Sequence, residues 1–182
     1  MYGAGRAPSG YMDDGDQILF GPHHVWKQSN GNITIFDNGT LRPSGNFSRV
    51  IEMDPKTGKI VWQFAPALGW VWPGSFYAAF QGGAQKLPNG NFFVTSTMNA
   101  HLFEVTPDKK VVWEFINPIG PAGPVCVAND PPMTLTVHKA FKYDVNYPAF
   151  KGKDLAPKGK LAAKCPDLKK LMDDSVAADA NK

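Results

Sequence analysis

At 182 residues and a formal net charge of +3, the chain is long enough for one domain with a real core. Charged residues are 19%, aromatics 12%, and 18 Gly and 16 Pro punctuate the sequence, which favours a turn-rich β protein over a helical bundle or a disordered chain. No apolar run reaches membrane-span length, no apolar leader follows Met1, and the Lys-rich stretch 151–182 holds no Phe, Tyr or Trp on which bases could stack. A membrane span, a signal peptide in this chain and a nucleic-acid surface are therefore not expected.

In chain order, residues 1–19 are poor in apolar side chains and frame no regular unit. Asp13, Asp14 and Asp16 with Gly15 lack the later Glu and the spacing of a calcium loop, so no metal site is expected. Residues 20–64 then read as four short strands: His24–Trp26, Ile33–Phe36, Arg49–Met53 and Ile60–Phe64, with turns at Ser29-Asn30-Gly31 and Pro55–Gly58. Asn-Gly and Thr-Gly accept the positive φ that tight hairpins need. The Gly39–Asn46 stretch is an insertion within this unit, and Asp37-Asn38-Gly39 reads as turn chemistry first and as a polar contribution to a site second.

A long aromatic connector, 65–81, carries Trp70 and Trp72, candidates for binding a substrate or for capping the end of a sheet stack. Residues 80–115 repeat the first pattern: Ala84–Leu87, Phe92–Thr97, His101–Val105 and Lys110–Phe115. The two Asn-Gly-Asn turns lie 59 positions apart and the two strand-ending Trp residues 51 apart. Asn117–Pro132 is a Pro-rich connector, and Met133–Phe141 reads as an extra strand. In the extension 143–182, Leu168, Leu171, Met172 and Val176 follow Pro166 at helical spacing and predict a short helical tail. Cys126 and Cys165 show no zinc or redox spacing; one disulfide or two free thiols both remain open.

A four-stranded antiparallel unit recurring at roughly 40–50 residues is the pattern of a β-propeller blade. The expected fold is thus all-β: about two four-stranded blades plus an extra strand (133–142), an incomplete propeller that exposes faces a full ring would bury. Self-association to complete the ring is one expected consequence.

The order of the pieces resembles the bacterial arylsulfotransferase-like propeller family over residues 20–156. The matching elements are Pro22-His23-His24, Gly31-Asn32-Ile33, Phe36-Asp37-Asn38-Gly39, Ser48–Pro55, Gly83–Asn91, Phe103–Pro107 and Val112-Trp113-Glu114. Tyr143-Asp144 with Tyr147-Pro148 is similar to a C-terminal family segment. Ala100-His101 and His138-Lys139 depart from the family pattern, and family members are normally longer and exported. The resemblance implies the C-terminal portion of a periplasmic or secreted enzyme that moves a sulfuryl group from an aryl sulfate to a phenolic acceptor through a sulfated histidine, without cofactor or nucleotide, and that is inactive as an isolated piece.

That chemistry needs an imidazole nitrogen as nucleophile and donors around the sulfonate oxygens. His23 and His24 match the family element and are the catalytic candidates. Alternation along a strand lets only one of them face a central channel, and register with the Asn30-Gly31 turn favours His23. His101 reads as an ordinary strand residue first and a substrate contact second, and His138 as packing. Arg49 is a candidate anion binder or a tie between strands. Two other readings stand beside this one. Asp54–Trp62 resembles the blade repeat of quinoproteins that hold a quinone cofactor (PQQ), a repeat that is chiefly a device for docking blades. The aromatic connector would equally suit a non-catalytic binding or assembly module.

Overall fold

The computed structural model describes residues 17–65, 76–120, 123–124 and 136–157. Two four-stranded antiparallel sheets make up nearly all of the regular structure. The first holds β1 (Pro22–Lys27), β2 (Ile33–Asp37), β3 (Arg49–Met53) and β4 (Ile60–Phe64), joined in sequence order. The second holds β5 (Gly83–Lys86), β6 (Phe92–Ser96), β7 (His101–Val105) and β8 (Val111–Ile116), again in sequence order. The described residues contain no α-helix, and beyond the two sheets only a small hairpin (Ile119–Gly120 with Gly123–Pro124) and two single 3-10 turns, Thr97–Asn99 and Pro148–Phe150. The all-β, two-sheet expectation holds.

Strand alternation explains how the sheets stack. Phe36, Val50 and Phe64 line up across β2, β3 and β4, as do Thr34, Glu52 and Trp62. This face of the first sheet meets Ala84, Phe92, Val94, Phe103 and Val105 of the second, with Phe76 wedged between, in one apolar cluster. Phe76 contacts Phe36 and Phe103 edge-on, at 5.6 and 5.3 Å between ring centres, a favoured aromatic geometry. The opposite face, Ile33, Ile35, Ile51, Met53 and Ile60, packs with Leu19 into a second cluster. Both faces of β2 and β3 are therefore buried, so these middle strands read as continuous runs of buried residues.

Polar ties fix the sheets at a defined offset. The Trp62 ring stacks on Phe92 at 4.1 Å and 12°, and its Nε1–H donates to the carbonyl of Pro107 at 2.7 Å. Glu52 accepts from the side-chain amides of Asn30 and Asn32, at 3.0 and 2.7 Å, and pairs with Lys86 of the second sheet. Burial raises the Glu52 pKa, but these hydrogen bonds outweigh it and hold the carboxyl below its usual range. The second sheet repeats the device: Glu104 accepts from Asn89 and Asn91 and pairs with Lys142.

Lys142 thus stands to the second sheet as Lys86 stands to the first. Residues 136–142 lie along β6 where β5 lies along the first sheet, but they form no strand. Their partners are mixed: Val137 N–H donates to the Thr97 carbonyl, Ala140 N–H to Thr95 Oγ1, and the Gln85 side-chain amide bonds both ways with the Lys142 backbone. The extra strand expected over 133–142 is therefore absent from its described part, because side chains take the place of a backbone ladder. Farther on, the exposed Tyr143 and Tyr147 and the half-buried Phe150 form a small aromatic cluster around the turn at Pro148. The predicted helix near 166–177, both cysteines and the Asp13–Asp16 loop lie outside the described residues.

Candidate functional site

The site forms where the start of β1, the end of β2 and the entry to β5 converge. Asp37, fully buried, organises its floor: Oδ1 accepts from the Phe20 amide at 2.8 Å, while Oδ2 accepts from Arg42 at 2.9 Å and from Arg49 Nε at 2.8 Å. Arg42 lies over the Phe47 ring, 4.2 Å from its centre, and burial lowers its pKa against the opposing pull of Asp37. Arg49 also donates to Gln63 Oε1 at 3.3 Å and to the Ile18 carbonyl. Each of its three nitrogens is engaged within the protein, so it ties strands together and leaves little of its fork for an anion.

Asn38 follows directly and is also fully buried. Its side-chain amide donates to the carbonyls of Ala78 (2.7 Å) and Gln81 (2.9 Å), which fixes which end is oxygen. That oxygen lies 2.7 Å from His23 Nδ1, and the Gly21 carbonyl lies 3.1 Å from the same nitrogen. Both neighbours can only accept, so Nδ1 carries the proton and Nε2 carries the lone pair. Nε2 meets only the Gln81 amide, at a long 3.4 Å, on an exposed residue.

His24 has the opposite tautomer. Its backbone is left-handed, φ 49°, at an irregularity in the β1–β2 ladder between His23 and Trp26. A histidine in that region is uncommon and costs on the order of 1 kcal/mol. The twist carries the ring toward the second sheet, where Nδ1 accepts from the Ala84 amide at 2.8 Å. The proton therefore sits on Nε2, which is buried and has no partner. A Cβ on Gly83 would come 2.7 Å from Nδ1, so only glycine lets the ring lie so close to the backbone. Burial first, and Lys139 second, push the His24 pKa down to about 4. The bulge also breaks the alternation that would send one ring of the pair to each face: both reach the Gln81–Ala84 stretch.

The remaining candidates do not join this cluster. His101 Nε2 lies 3.1 Å from Glu114 Oε1 on the neighbouring strand and its ring packs on Phe103 at 5.0 Å; burial lowers its pKa more than Glu114 raises it. The His138 carbonyl accepts from the Gly82 amide and from Thr97 Oγ1, so its backbone and not its ring holds the segment. Trp70 and Trp72 lie outside the described residues. Asn38, which bonds His23, and Lys139, whose charge bears on His24, are the neighbours of the two histidines that sequence reasoning under-read. Among the described residues no group of three His, Cys, Asp or Glu could hold a metal ion, and no helix is long and apolar enough to cross a membrane.

No family model and no curated protein matches this chain. Among solved structures, a protein of unknown function from Bacteroides caccae is similar at a TM-score of 0.36 and 12% identity. The match covers 57% of this chain and 37% of that one, so the chain spans little more than a third of that protein's length.

Proposed function

We propose that the two sheets are blades of a propeller and that the chain carries the nucleophile of a nucleotide-independent sulfuryl transferase acting from an aryl sulfate to a phenol. The observation that carries this reading is the tautomer of His23: Nδ1–H is held by Asn38 and Gly21, leaving the Nε2 lone pair, on an exposed residue, with only a long 3.4 Å bond from the Gln81 amide. In the reaction, Nε2 forms a bond to sulfur while the sulfur–oxygen bond to the aryl group breaks, and the phenolate leaves with that electron pair. An acceptor phenol, its proton passing to the departed phenolate, then attacks sulfur, and the N–S bond breaks, returning the pair to Nε2. Asn38 is a positioning residue, since it acts through the ring it orients. The Asp54–Trp62 run that resembles quinoprotein repeats packs the two sheets together through Trp62, a docking role that bears on the fold and not on a cofactor.

No turnover to an acceptor phenol is expected of the chain alone, so the test reads the half-reaction, which needs only the nucleophile. The chain is incubated with 4-nitrophenyl sulfate, and the peptide holding His23 is weighed for the gain of one SO3 group. The expected result is a gain in the wild type and none in His23→Ala. No gain in the wild type, or a gain that survives His23→Ala, overturns the proposal.

A further inference from the structure

The two sheets repeat one pattern, and they part company at the histidines. In the second sheet β5 pairs with β6 without a break, from Gly83 opposite Thr95 to Lys86 opposite Phe92. In the first, Lys27 pairs with Ile33 and Trp26 with Thr34, but the next pair is His23 with Phe36. His24 and Val25 thus stand together opposite the single Ile35, a β-bulge with one extra residue. An unbroken ladder would set His24 opposite Phe36 and His23 opposite Asp37. Because neighbouring positions face opposite sides, the extra residue carries His23 from the Asp37 side of the sheet to the Phe36 side. Phe36 packs toward the second sheet, and there the His23 ring meets Asn38 and the Gln81 amide. The regular β5–β6 ladder forms the same four-stranded unit without a bulge, so the bulge serves the rings and not the sheet.

His24 holds that bulge in place. Its φ of 49° belongs to the left-handed region, which at a bulge is usually left to glycine. Its ring sits close over Gly83, and Nδ1 accepts from the Ala84 amide, the ring's single hydrogen bond among the described residues. Trp26 and Phe141 lie against the ring, at 6.1 and 5.8 Å between centres. We propose that His24 is a positioning residue: its ring latches the bulge to β5 and so turns His23 to Asn38, which fixes the Nδ1–H tautomer. What His23 then does rests on the sulfuryl-transfer reading. The latch needs a neutral His24, because a proton on Nδ1 would face the Ala84 N–H, donor against donor. Around the ring stand His23 on the same strand and, on the 136–142 segment, Lys139 preceded by His138; Lys86 of β5 and Lys142 are paired with Glu52 and Glu104. None of these neighbours favours a charged ring, and burial and the Lys139 charge keep it neutral at pH 7.

Nitrogen and proton NMR of the imidazole rings and backbone amides in the labelled full chain, with no aryl sulfate present, tests this. Expected in the wild type at pH 7 is a His23 ring entirely Nδ1–H and a protected Ala84 amide. In His24→Ala, and in Gly83→Ala, whose Cβ would meet His24 Nδ1 at 2.7 Å, His23 should show both tautomers. In both variants the Ala84 amide should exchange about tenfold faster or more. His24→Asn should restore both signals, since asparagine tolerates the left-handed backbone and its Oδ1 takes the place of Nδ1. As the wild-type His24 ring takes up a proton in acid, protection at Ala84 should fall in step, and in His24→Asn it should not. A His23 ring that stays entirely Nδ1–H in His24→Ala and Gly83→Ala overturns the latch, as does an Ala84 amide that remains protected through the His24 titration. Where a variant unfolds in its urea curve, the other variant and the acid titration of the wild type decide. Wild-type levels of His23 sulfation by 4-nitrophenyl sulfate in His24→Ala overturn the positioning role and keep the transfer reading. Tautomers that move as expected in a chain that never gains SO3 keep the latch and sink only the transfer reading.

Discussion

Replacing Asn38 by Ala tests the joint between fold and site, because one buried side chain serves both. The amide donates to two carbonyls, Ala78 and Gln81, and accepts from His23. After truncation the Ala78 carbonyl keeps only a share of the single Ser48 hydroxyl proton, at 3.3 Å against 3.0 Å to the Asn38 backbone carbonyl, and His23 Nδ1–H keeps the Gly21 carbonyl at 3.1 Å. The Gln81 carbonyl loses its bond to Asn38 with no substitute. One orphaned acceptor costs about 1–3 kcal/mol, and the emptied volume adds to that, so a loss of about 2–4 kcal/mol is expected. With a urea slope of about 1–3 kcal/mol per molar, the unfolding midpoint falls by about 1–2 M. The His23 proton also loses its better acceptor, so ring NMR should show both tautomers, and sulfation of His23 should fall about tenfold or more. Asn38→Asp, which keeps the shape, sets a carboxylate against two carbonyl oxygens and should cost more at pH 7 than at pH 4. A midpoint unchanged in Asn38→Ala, or a His23 ring that stays entirely Nδ1–H, would refute the argument.

Two further outcomes follow from the same geometry. Trp62→Ala removes the stacked ring and its hydrogen bond to Pro107 and should cost about 2–3 kcal/mol, below the usual 3–5 for a fully buried aromatic because the ring is half-buried. Trp113→Ala, at the equivalent but exposed place in the second sheet, should cost under about 1 kcal/mol, and equal losses in urea unfolding would count against the docking role of Trp62. His24 has a folded pKa of about 4 against an ordinary 6.5, so the unfolded chain takes the proton first. Stability present above pH 6.5 is then drawn down as pH falls toward 4 and levels off below it. The full shift corresponds to about 3 kcal/mol, and solvent at the half-buried ring reduces this to about half. Glu52 and Glu104, held low by their lysines, release their contributions only below their ordinary value of 4.5, so the upper part of the window belongs to histidines, His101 among them. A His24 ring that titrates near 6 in NMR would contradict this.

The strands were legible because short β-branched and aromatic runs end in Asn-Gly and Thr-Gly, where only a turn relieves the backbone. The twofold repeat was legible for the same reason. What the pattern hid is the second use of the turn residues. Asn30 and Asn32 read as turn formers, and their backbone roles are so, yet their amides also reach Glu52 on a strand some twenty residues away. The signal was present: Lys27 and Lys86, Asn30 and Asn89, and Asn32 and Asn91 recur 59 positions apart, and Glu52 and Glu104, beyond the Gly39–Asn46 insertion, 52 apart. The described part of Met133–Phe141 misled because apolar and polar residues alternate there, and alternation does not say whether a backbone ladder is available. His24 was unreadable for a related reason: a strand pattern assumes φ near its extended value, and a single left-handed residue redirects the ring. Arg49 shows the converse, a cation whose partners, Asp37, Gln63 and Ile18, are brought in by pairing that no spacing reveals.

The repeat is directional, and that direction is what creates the site. The first sheet offers a Glu and a Trp forward; the second receives them with Lys86, Phe92 and the Pro107 carbonyl. The second sheet offers Glu104 forward in turn, and the 136–142 segment receives it with Lys142. Each join draws the entry of one unit across the inner edge of the last. At the first join this brings Gln81 and Ala84 to the histidines; at the next it brings His138 and Lys139 to Gly82 and His24. His23 and Asn38 come from one sheet, their covering amides from the other, and the ammonium from a third segment, so neither sheet alone can hold the arrangement. Beyond Lys142 the series has no described continuation: Trp113 and Phe115 remain exposed on β8, and Lys27 on β1 stands at the receiving position without a carboxylate among the described residues. A loosened join should therefore show first as altered histidine tautomers and only then as a lowered unfolding midpoint, since the rings depend on a few hydrogen bonds across the seam while the sheets depend on the apolar cluster beneath it.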